Sequence, residues 1–306
     1  MPIDEITLRF DVANLTLLNA ILGLVMFGIA LDLRFSDFRA VLESKRAAVL
    51  GLSAQFVLLP AVTFLLVRLL EPHPSMALGM FLVAACPGGN LSNFMAHLAR
   101  GNTALSVSLS AVSTLAATVM TPLNLTVWAS LYPPTAEILR RVSLDPLSIF
   151  ITIAVVLGIP VTLGMTIAHR FPSFAARARR PMKFMSLVVF AGFVVIALWA
   201  NFDHFLTYIG EVALLVILHN TLALTGGYGA ARMAGLPEAD RRAVAIEVGI
   251  QNSALGLLLI FDFFDGLGGM ALVAAWWGIW HIVSGVTVAG FWSRRPIDGG
   301  RGGVRE

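Results

Sequence analysis

The stretch ACPGGNLSN at residues 85–93 interrupts an apolar run that extends from 75 to 98. Proline removes a backbone donor and consecutive glycines relax a helix, so this pattern predicts a helix that is broken near its centre. A second stretch, EVGIQNS at 247–253, places a carboxyl and two amides inside the apolar run from 243 to 264. Backbone freed from a helix inside a bilayer must find partners in protein or in a watery cavity. Both breaks are therefore predicted to lie at a binding site.

The composition around these stretches is typical of a membrane protein. The chain has 306 residues, of which 58% are hydrophobic and 13% are charged, with a mean hydropathy of +0.84. Soluble domains carry about 25% charged residues, so the composition argues against a soluble protein and predicts the lipid bilayer as partner. The formal net charge of +3 is small, and we expect no nucleic-acid partner. The single cysteine, Cys86, excludes a disulfide within the chain.

Apolar runs between charged or Pro/Gly punctuation predict an all-α polytopic membrane protein that forms a single membrane unit with about nine transmembrane helices. The approximate bounds of these spans are 13–32, 47–70, 75–98, 103–131, 146–168, 183–200, 206–233, 243–264 and 268–292. The connections between them are short. No room is left for a sizeable soluble domain.

The distribution of basic residues predicts the orientation. All of the 21 Lys and Arg except Arg9, Arg68, Arg140 and Arg141 fall on one side of the predicted spans. The most basic connection, 170–183, is expected to be a loop on that side. Because cytoplasmic loops collect Lys and Arg, we expect the N-terminus outside and the C-terminus in the cytoplasm, in the inner (plasma) membrane. This orientation requires an odd number of spans, which agrees with nine.

The two interrupted helices are five spans apart, and because five is odd they cross the membrane in opposite directions. That relation is expected of inverted repeats, in which spans one to four match spans six to nine. A glycine followed by amide and hydroxyl side chains at both 89–93 and 249–253 is a weak echo of the same relation. Paired broken helices predict the central site of a secondary transporter. For the break at 87–89 alone, the alternative is a kink that helps helices to pack.

Polar side chains near the two breaks predict a cation site. An acid such as Glu247 inside a span usually marks an ion path, and Gln251 is expected one turn along the same helix face. Ser106 and Ser110 are four residues apart, so their hydroxyls can point to one place. Further oxygens are available from Gln55, Ser92 and Asn93. Oxygen ligands without a Cys/His cluster suit a hard cation, and the helix ends at each break suit a cation and an anion together.

Two alternatives to this cation site stay open from the residues alone. Glu247 could instead pair with Arg242 at the cytoplasmic end, and the serines could bond to carbonyls of their own helix. His219 and Asn220, in the seventh span, are predicted to be structural.

At these residues the sequence resembles the bile acid:sodium symporter family, over about 20–292. The likeness is carried by residues 86–89, 92–93, 99–102, 104–106, 247–249 and 251–253. The resemblance implies a panel domain and a core domain, with two crossing broken helices in the core and alternating access to one cavity. The panel would comprise 13–32, 146–168 and 183–200, and the core 47–131 and 206–292.

The resemblance also implies two sodium sites and a small organic anion as substrate. The first site would be formed by Ser92, Asn93, Ser106, Ser110 and Glu247. The second would be formed by Gln55, Glu247, Val248, Ile250 and Gln251, with Val248 and Ile250 acting through backbone carbonyls. The substrate would lie near Asn90, Asn252 and His281. Bile acid-like molecules or small carboxylates such as pantoate and keto or hydroxy acids are the expected substrates, and the oligomeric state stays open.

Other functional classes also stay open from the sequence. A proton-coupled carrier would use titration of Glu247 instead of sodium binding. An intramembrane hydrolase could begin from His281 with Ser284, although no nucleophile elbow or paired acidic metal motif accompanies them. A channel or a ligand-binding sensor without transport would bind sodium but would not move an anion uphill.

Overall fold

The computed structural model describes residues 3–5, 15–31, 44–89, 91–141, 146–200, 202–295 and 297. In this part of the chain the regular structure is helical, with one isolated antiparallel bridge and no strand. The helices are α1 (Leu15–Ala30), α2 (Lys45–Leu70), α3 (Pro74–Ala85), α4 (Leu91–Leu98), α5 (Thr103–Leu131), α6 (Pro133–Arg141), α7 (Pro146–Arg170), α8 (Pro172–Ala200), α9 (Phe202–Met233), α10 (Glu238–Gly249), α11 (Ser253–Phe263) and α12 (Gly268–Ser293). A 3-10 turn covers Ile3–Glu5, and a π-helical stretch covers Ala54–Leu58 inside α2.

Membrane-crossing helices are present among the described residues. Four are long and apolar enough to span a bilayer, namely α2, α5, Leu206–Met233 of α9, and α12. Two shorter apolar helices, α3 and α11, each adjoin a break. The regular structure of the described residues is thus helical and consistent with the predicted membrane protein, whereas the total of nine spans stays a prediction. Arg9 and Asn90, on which parts of the sequence analysis depend, lie outside the described residues.

Both predicted breaks are present. The first separates α3 from α4, and the second separates α10 from α11. The first has a local cause, because a residue before proline is driven out of the helical region, and Cys86 before Pro87 is extended with ψ of 155°. At the second break Ile250 leaves the helical conformation directly after Gly249, with φ of −109° and ψ of 92°.

The basic connection at 170–183 is not a loop, and this prediction is wrong. Helix α8 begins at Pro172, where proline fits the first turn, and it continues through Pro181 to Ala200. A run of charged residues predicts a loop, but such residues can equally lie on a helix that extends past the bilayer surface. Arg179 illustrates this, because its Nε donates to the carbonyl of Leu31 at the end of α1, 2.8 Å away.

The packing of the helices places the first break inside the protein. Residues 75–85 of α3 are all buried, as expected of a helix that is apolar on every side. Helix α12 packs closely along α3, and a Cβ at Gly79 would lie 2.8 Å from the Cα of Met270. Around this pair, α5 contacts α3 and α4, and α9 packs along α10. Helices α1, α7 and α8 contact one another.

Candidate functional site

The two breaks meet and satisfy each other's backbone groups. The amide of Gly89 donates to the carbonyl of Ile250 at 2.6 Å, and the amide of Asn252 donates to the carbonyl of Pro87 at 2.9 Å. Together these bonds form the isolated antiparallel bridge. Backbone groups freed from both helices are therefore paired across the crossing, as burial away from water requires.

Glu247 lies beside this crossing and collects three serine hydroxyls. Its side chain is 1% exposed, and Ser92 Oγ donates to Oε2 at 2.6 Å. Ser110 Oγ lies 2.9 Å from Oε1 and 3.0 Å from Oε2, and Ser106 Oγ lies 3.4 Å from Oε2. The same two serines lie 3.2 Å and 2.9 Å from Asn93 Oδ1. The residues predicted for the first sodium site are thus brought together from α4, α5 and α10.

The alternative partner for Glu247 is excluded. The Arg242 guanidinium points to the opposite end of α10, where it donates to Glu238 at 3.0 Å and to the carbonyls of Ala99 and Trp292 at 2.9 and 3.1 Å. Among the described residues no Lys, Arg or His forms an ion pair with Glu247. The site therefore contains a buried carboxyl group that has hydroxyl donors and no basic partner.

Serines of α5 differ in where their hydroxyls point. Ser108 Oγ donates to the carbonyl of Ala104 in its own helix at 2.8 Å, as serines in membrane helices often do. Ser106 and Ser110, on the face towards α10, direct their hydroxyls to Glu247 instead. Their spacing of four residues gives the common direction that the sequence predicts.

Gly88 allows the carboxyl group of Glu247 to reach the first break. A Cβ at position 88 would lie 2.8 Å from Glu247 Cδ and would collide with Oε1. A residue with a side chain cannot occupy this place unless Glu247 moves. The glycine of the Pro-Gly-Gly sequence therefore serves close approach as well as interruption of the helix.

The second predicted site is only partly assembled by hydrogen bonds. Gln55 and Gln251 form a reciprocal amide pair, with N-to-O distances of 2.8 and 3.1 Å. Gln251 Nε2 also donates to the carbonyl of Val248 at 2.6 Å, and Gln55 Nε2 donates to that of Cys86 at 2.8 Å. The side-chain amide nitrogens of the two glutamines thus donate to carbonyls at the ends of α3 and α10.

The expectation that Gln251 lies one turn along the same face as Glu247 is wrong. Helix α10 ends at Gly249, and Gln251 lies in the extended segment beyond it, where its side chain faces α2. Among the described residues no hydrogen bond joins Glu247 to Gln55 or Gln251, and the carbonyl of Ile250 accepts from the first break. A helical periodicity does not apply across a break, which explains the error.

The residues predicted to hold the substrate are not gathered in the same way. Asn252 is half-buried, and its Oδ1 accepts from the amide of Leu255 at 3.1 Å, which caps α11. His281 on α12 is 5% exposed, and its Nδ1 has no hydrogen-bond partner among the described residues. Asn90 is outside that part of the chain.

The Ser-His pair of a hydrolase is not formed. Ser284 Oγ donates to Asn220 Oδ1 at 2.6 Å, and its contact with His281 is to the backbone carbonyl at 3.3 Å. No cluster of three or more His, Cys, Asp or Glu suited to a metal occurs in the described ranges. The contacts of Ser284 therefore do not support a Ser284-His281 nucleophile and base pair.

The sequence predicts His219 and Asn220 to be structural, and it does not distinguish their contacts. His219 does pack in the interior, with Nε2 2.6 Å from Thr63 Oγ1. Asn220, by contrast, donates from Nδ2 to the carbonyl of Gly249 at the second break, 2.7 Å away. The sequence does contain a signal for this contact. Asn220 is an amide in the span before the second broken helix, and Gln55 is an amide in the span before the first.

Comparisons with known proteins show which family the sequence resembles. The sequence profile of the Sodium Bile acid symporter family matches residues 19–208. The chain is 33% identical to an uncharacterized sodium-dependent transporter of Bacillus subtilis, YocS, over 90% of this chain and 82% of that protein. It is 31% identical to the ileal sodium/bile acid cotransporter of Cricetulus griseus, over 83% of this chain and 71% of that protein. It is 30% identical to the Arabidopsis thaliana protein named "Probable sodium/metabolite cotransporter BASS1, chloroplastic", over 89% of this chain and 66% of that protein.

Proposed function

Because the chain belongs to the Sodium Bile acid symporter family, we propose that it is a sodium-coupled symporter of organic anions that works by alternating access. Family membership identifies the chain as a sodium-dependent membrane transporter and not an enzyme. The proposal that sodium movement is coupled to transport of an organic anion rests on one observation. A buried carboxyl group, Glu247, lies at the crossing of two broken helices among hydroxyl and amide oxygens and without a basic partner.

The first sodium site is the cluster of Ser92, Asn93, Ser106, Ser110 and Glu247. Sodium is a hard cation that prefers oxygen ligands, and this cluster offers only oxygens. The cost of burying an unpaired carboxylate is on the order of several kcal/mol, and a cation at the site offsets it. When sodium binds, the serine hydroxyls turn their protons away from Glu247 and present lone pairs to the ion.

The second sodium site is formed by Gln55, Glu247, Val248, Ile250 and Gln251. The carbonyl end of α10 carries negative partial charge, which favours a cation. In this arrangement the two glutamine amides bond to each other, so sodium binding requires them to turn their oxygens towards the ion. Sodium binding would then replace the hydrogen bonds between the side chains of Gln55 and Gln251.

Charge balance supports an anionic substrate. Two sodium ions with one carboxylate leave a net positive charge, and a nearby anion lowers the electrostatic cost of holding them in low dielectric. We place the substrate near Asn90, Asn252 and His281, at the amide ends of α4 and α11. Bile acid-like molecules and small carboxylates, such as pantoate and keto or hydroxy acids, fit this chemistry.

The driving force is adequate for uphill transport. Two sodium ions that move down tenfold gradients contribute about 2.8 kcal/mol. One net charge that moves through 100 mV adds about 2.3 kcal/mol. Together these could concentrate a monovalent anion by roughly three to four powers of ten.

The proposal includes nine spans, with the N-terminus outside and the C-terminus in the cytoplasm, in the inner (plasma) membrane. Mutual contacts among α1, α7 and α8 support a panel of these three helices, and the contacts of α3, α4 and α5 with α10 and α12 support a core. Alternating access is then motion of the core against the panel.

Uptake into proteoliposomes tests the proposed function. Labelled pantoate and a labelled bile acid are offered with an inward sodium gradient, and with choline in place of sodium at a fixed pH gradient. We expect saturable, concentrative uptake of at least one of them only with sodium. Uptake that persists in choline and follows the pH gradient would show proton coupling instead. Binding of sodium without movement of either anion would favour a sensor.

A further inference from the structure

The end of α10 presents three consecutive carbonyls to three different donors. The carbonyls of residues 248–250 accept, in order, from Gln251 Nε2 at 2.6 Å, from Asn220 Nδ2 at 2.7 Å and from the amide of Gly89 at 2.6 Å. The first and third of these carbonyls belong to the proposed second sodium site. The middle one points the other way, to α9, and Asn220 holds it there.

Asn220 is itself held in place. Its side chain is fully buried, and Ser284 of α12 donates to Oδ1 at 2.6 Å while Nδ2 donates to Gly249. Both ends of the amide are therefore used, and three helices are linked at one point. A buried amide whose groups are satisfied in this way has one preferred orientation.

The first half of the chain has a corresponding bond. Gln55, in the helix before the first broken helix, donates to the carbonyl of Cys86 at the end of α3. Asn220, in the helix before the second broken helix, donates to the carbonyl of Gly249 at the end of α10. In each half an amide of the preceding helix thus fixes the end of the first half-helix.

The residue that accepts the hydrogen bond from Asn220 is a glycine, Gly249. A Cβ at this position would collide with the side chain of Leu224, so close packing of α9 against α10 requires glycine. Glycine also leaves the adjacent peptide planes free to rotate. The hydrogen bond from Asn220 removes that freedom at the point where the carbonyls must face an ion.

We propose that Asn220, held by Ser284, is a positioning residue for the second sodium site, and this inference rests on the proposed function. By fixing the Gly249 peptide it orients the carbonyls of Val248 and Ile250 before the ion arrives. Without it, part of the sodium binding energy is used to order those carbonyls. Asn220 does not contact the ion.

Sodium alone, titrated against choline at constant ionic strength, tests the inference. Melting of the purified protein in detergent is followed by tryptophan fluorescence, and the sodium concentration for half-maximal stabilisation is recorded. For Asn220→Leu we expect this concentration to rise about fivefold to tenfold, the equilibrium effect of losing about one hydrogen bond. Ser284→Ala leaves the bond to Gly249 but loosens Asn220, and we expect a rise of about threefold.

Asn124→Leu is the matched control. Asn124 is a buried amide of α5, but it bonds within its own helix, to the carbonyl of Met120 and to Trp128 Nε1. Its loss should lower the melting temperature in choline without moving the sodium half-point. A purely structural role of Asn220 would give the same result as this control.

Glu247→Gln separates failure of the inference from failure of the proposed function. If Glu247→Gln abolishes stabilisation by sodium while Asn220→Leu and Ser284→Ala leave the half-point unchanged, the inference is overturned and the proposed function stands. If the unmodified protein is not stabilised by sodium, or Glu247→Gln retains the effect, both fall. Should Asn220→Leu not fold, the half-point of Ser284→Ala decides the outcome alone.

Discussion

Gly88 lies directly against the carboxyl group of Glu247, where a Cβ would meet Cδ at 2.8 Å. For Gly88→Ala we expect at least a tenfold rise in the sodium half-point, because the new Cβ collides with Glu247 Oε1 and displaces the carboxyl group. The measurement is the same sodium titration of thermal stability. Gly210→Ala in α9 is the control, since a Cβ there meets nothing within 4 Å. That variant should keep the half-point and gain slightly in stability, as alanine does in a helix interior. An unchanged half-point in Gly88→Ala would contradict the geometry.

At this scale the sequence predicts residue types better than contacts. Glu247, Ser106 and Ser110 could be selected because an acid and two hydroxyls at a spacing of four are unusual inside apolar runs. The partner of Gln251 could not be selected, because its direction depends on where α10 ends. The contact of Asn220 with Gly249 likewise needs the packing of α9 on α10.

At the scale of elements, Arg242 joins the ends of three segments near the start of α10. Arg242 is 3% exposed, and its guanidinium donates to carbonyls of Ala99, Trp292 and Arg295, as well as to Glu238. These carbonyls lie at or beyond the C-terminal ends of α4 and α12, where helices leave carbonyls without a regular intrahelical donor, and that of Trp292 also accepts from the amide of Arg295 at 3.0 Å. The Arg242 side chain therefore caps the C-terminal ends of two helices from opposite halves of the chain.

Replacement of this arginine should destabilise the protein strongly. For Arg242→Met we expect a fall of several degrees in the melting temperature, because the carbonyls of Ala99 and Arg295 lose the guanidinium donor and Glu238 Oε1 loses its buried ion-pair partner. Arg241→Met is the control, since the Arg241 side chain is 27% exposed, pairs with Glu238 at 3.5 Å and donates from Nε to the carbonyl of Leu236 at 2.6 Å. Its effect should be smaller than that of Arg242→Met, because it removes one carbonyl bond and one partly exposed ion pair. Equal effects of the two variants, measured by thermal unfolding in detergent, would contradict this account of Arg242.

The helices could be predicted where the sequence marks both ends. Helix α5 runs over Thr103–Leu131, the span predicted, because Asn102 caps its start and prolines follow its end. Helix α8 could not be delimited, because its basic first part is polar on the outside and still helical. Hydropathy reports where a helix meets lipid, and it does not report where the helix begins.

At the scale of the whole molecule, the crossing of the two breaks could be expected only from a general rule about inverted repeats. Gly88 and Gln251 pair across most of the chain, and no local pattern encodes that bridge. The odd separation of the breaks predicts opposite directions through the membrane. That the breaks then touch depends on the packing of α3, which is buried on every side and ends at Ala85, shortly before Gly88 of the bridge.

The proposed orientation can be tested by labelling. Cys86 is buried and is the single cysteine, so a Cys86→Ala background accepts new surface cysteines. Glu71→Cys, between α2 and α3, should react with a membrane-impermeant thiol reagent in intact cells. Ser173→Cys, at the start of α8, should react only after the cells are opened. Both residues are exposed, so access to the reagent differs only by the side of the membrane. Reaction of Ser173→Cys in intact cells would contradict the proposed orientation and indicate the opposite one.

The central claim is that Glu247, at the crossing of the two halves, holds sodium, and direct binding of radioactive sodium to the purified protein tests it. We expect saturable binding that unlabelled sodium displaces and choline does not. The variant Glu247→Gln keeps the shape and removes the charge, so it should remain folded and lose this binding. Sodium binding by Glu247→Gln with the affinity and stoichiometry of the unmodified protein would contradict the account.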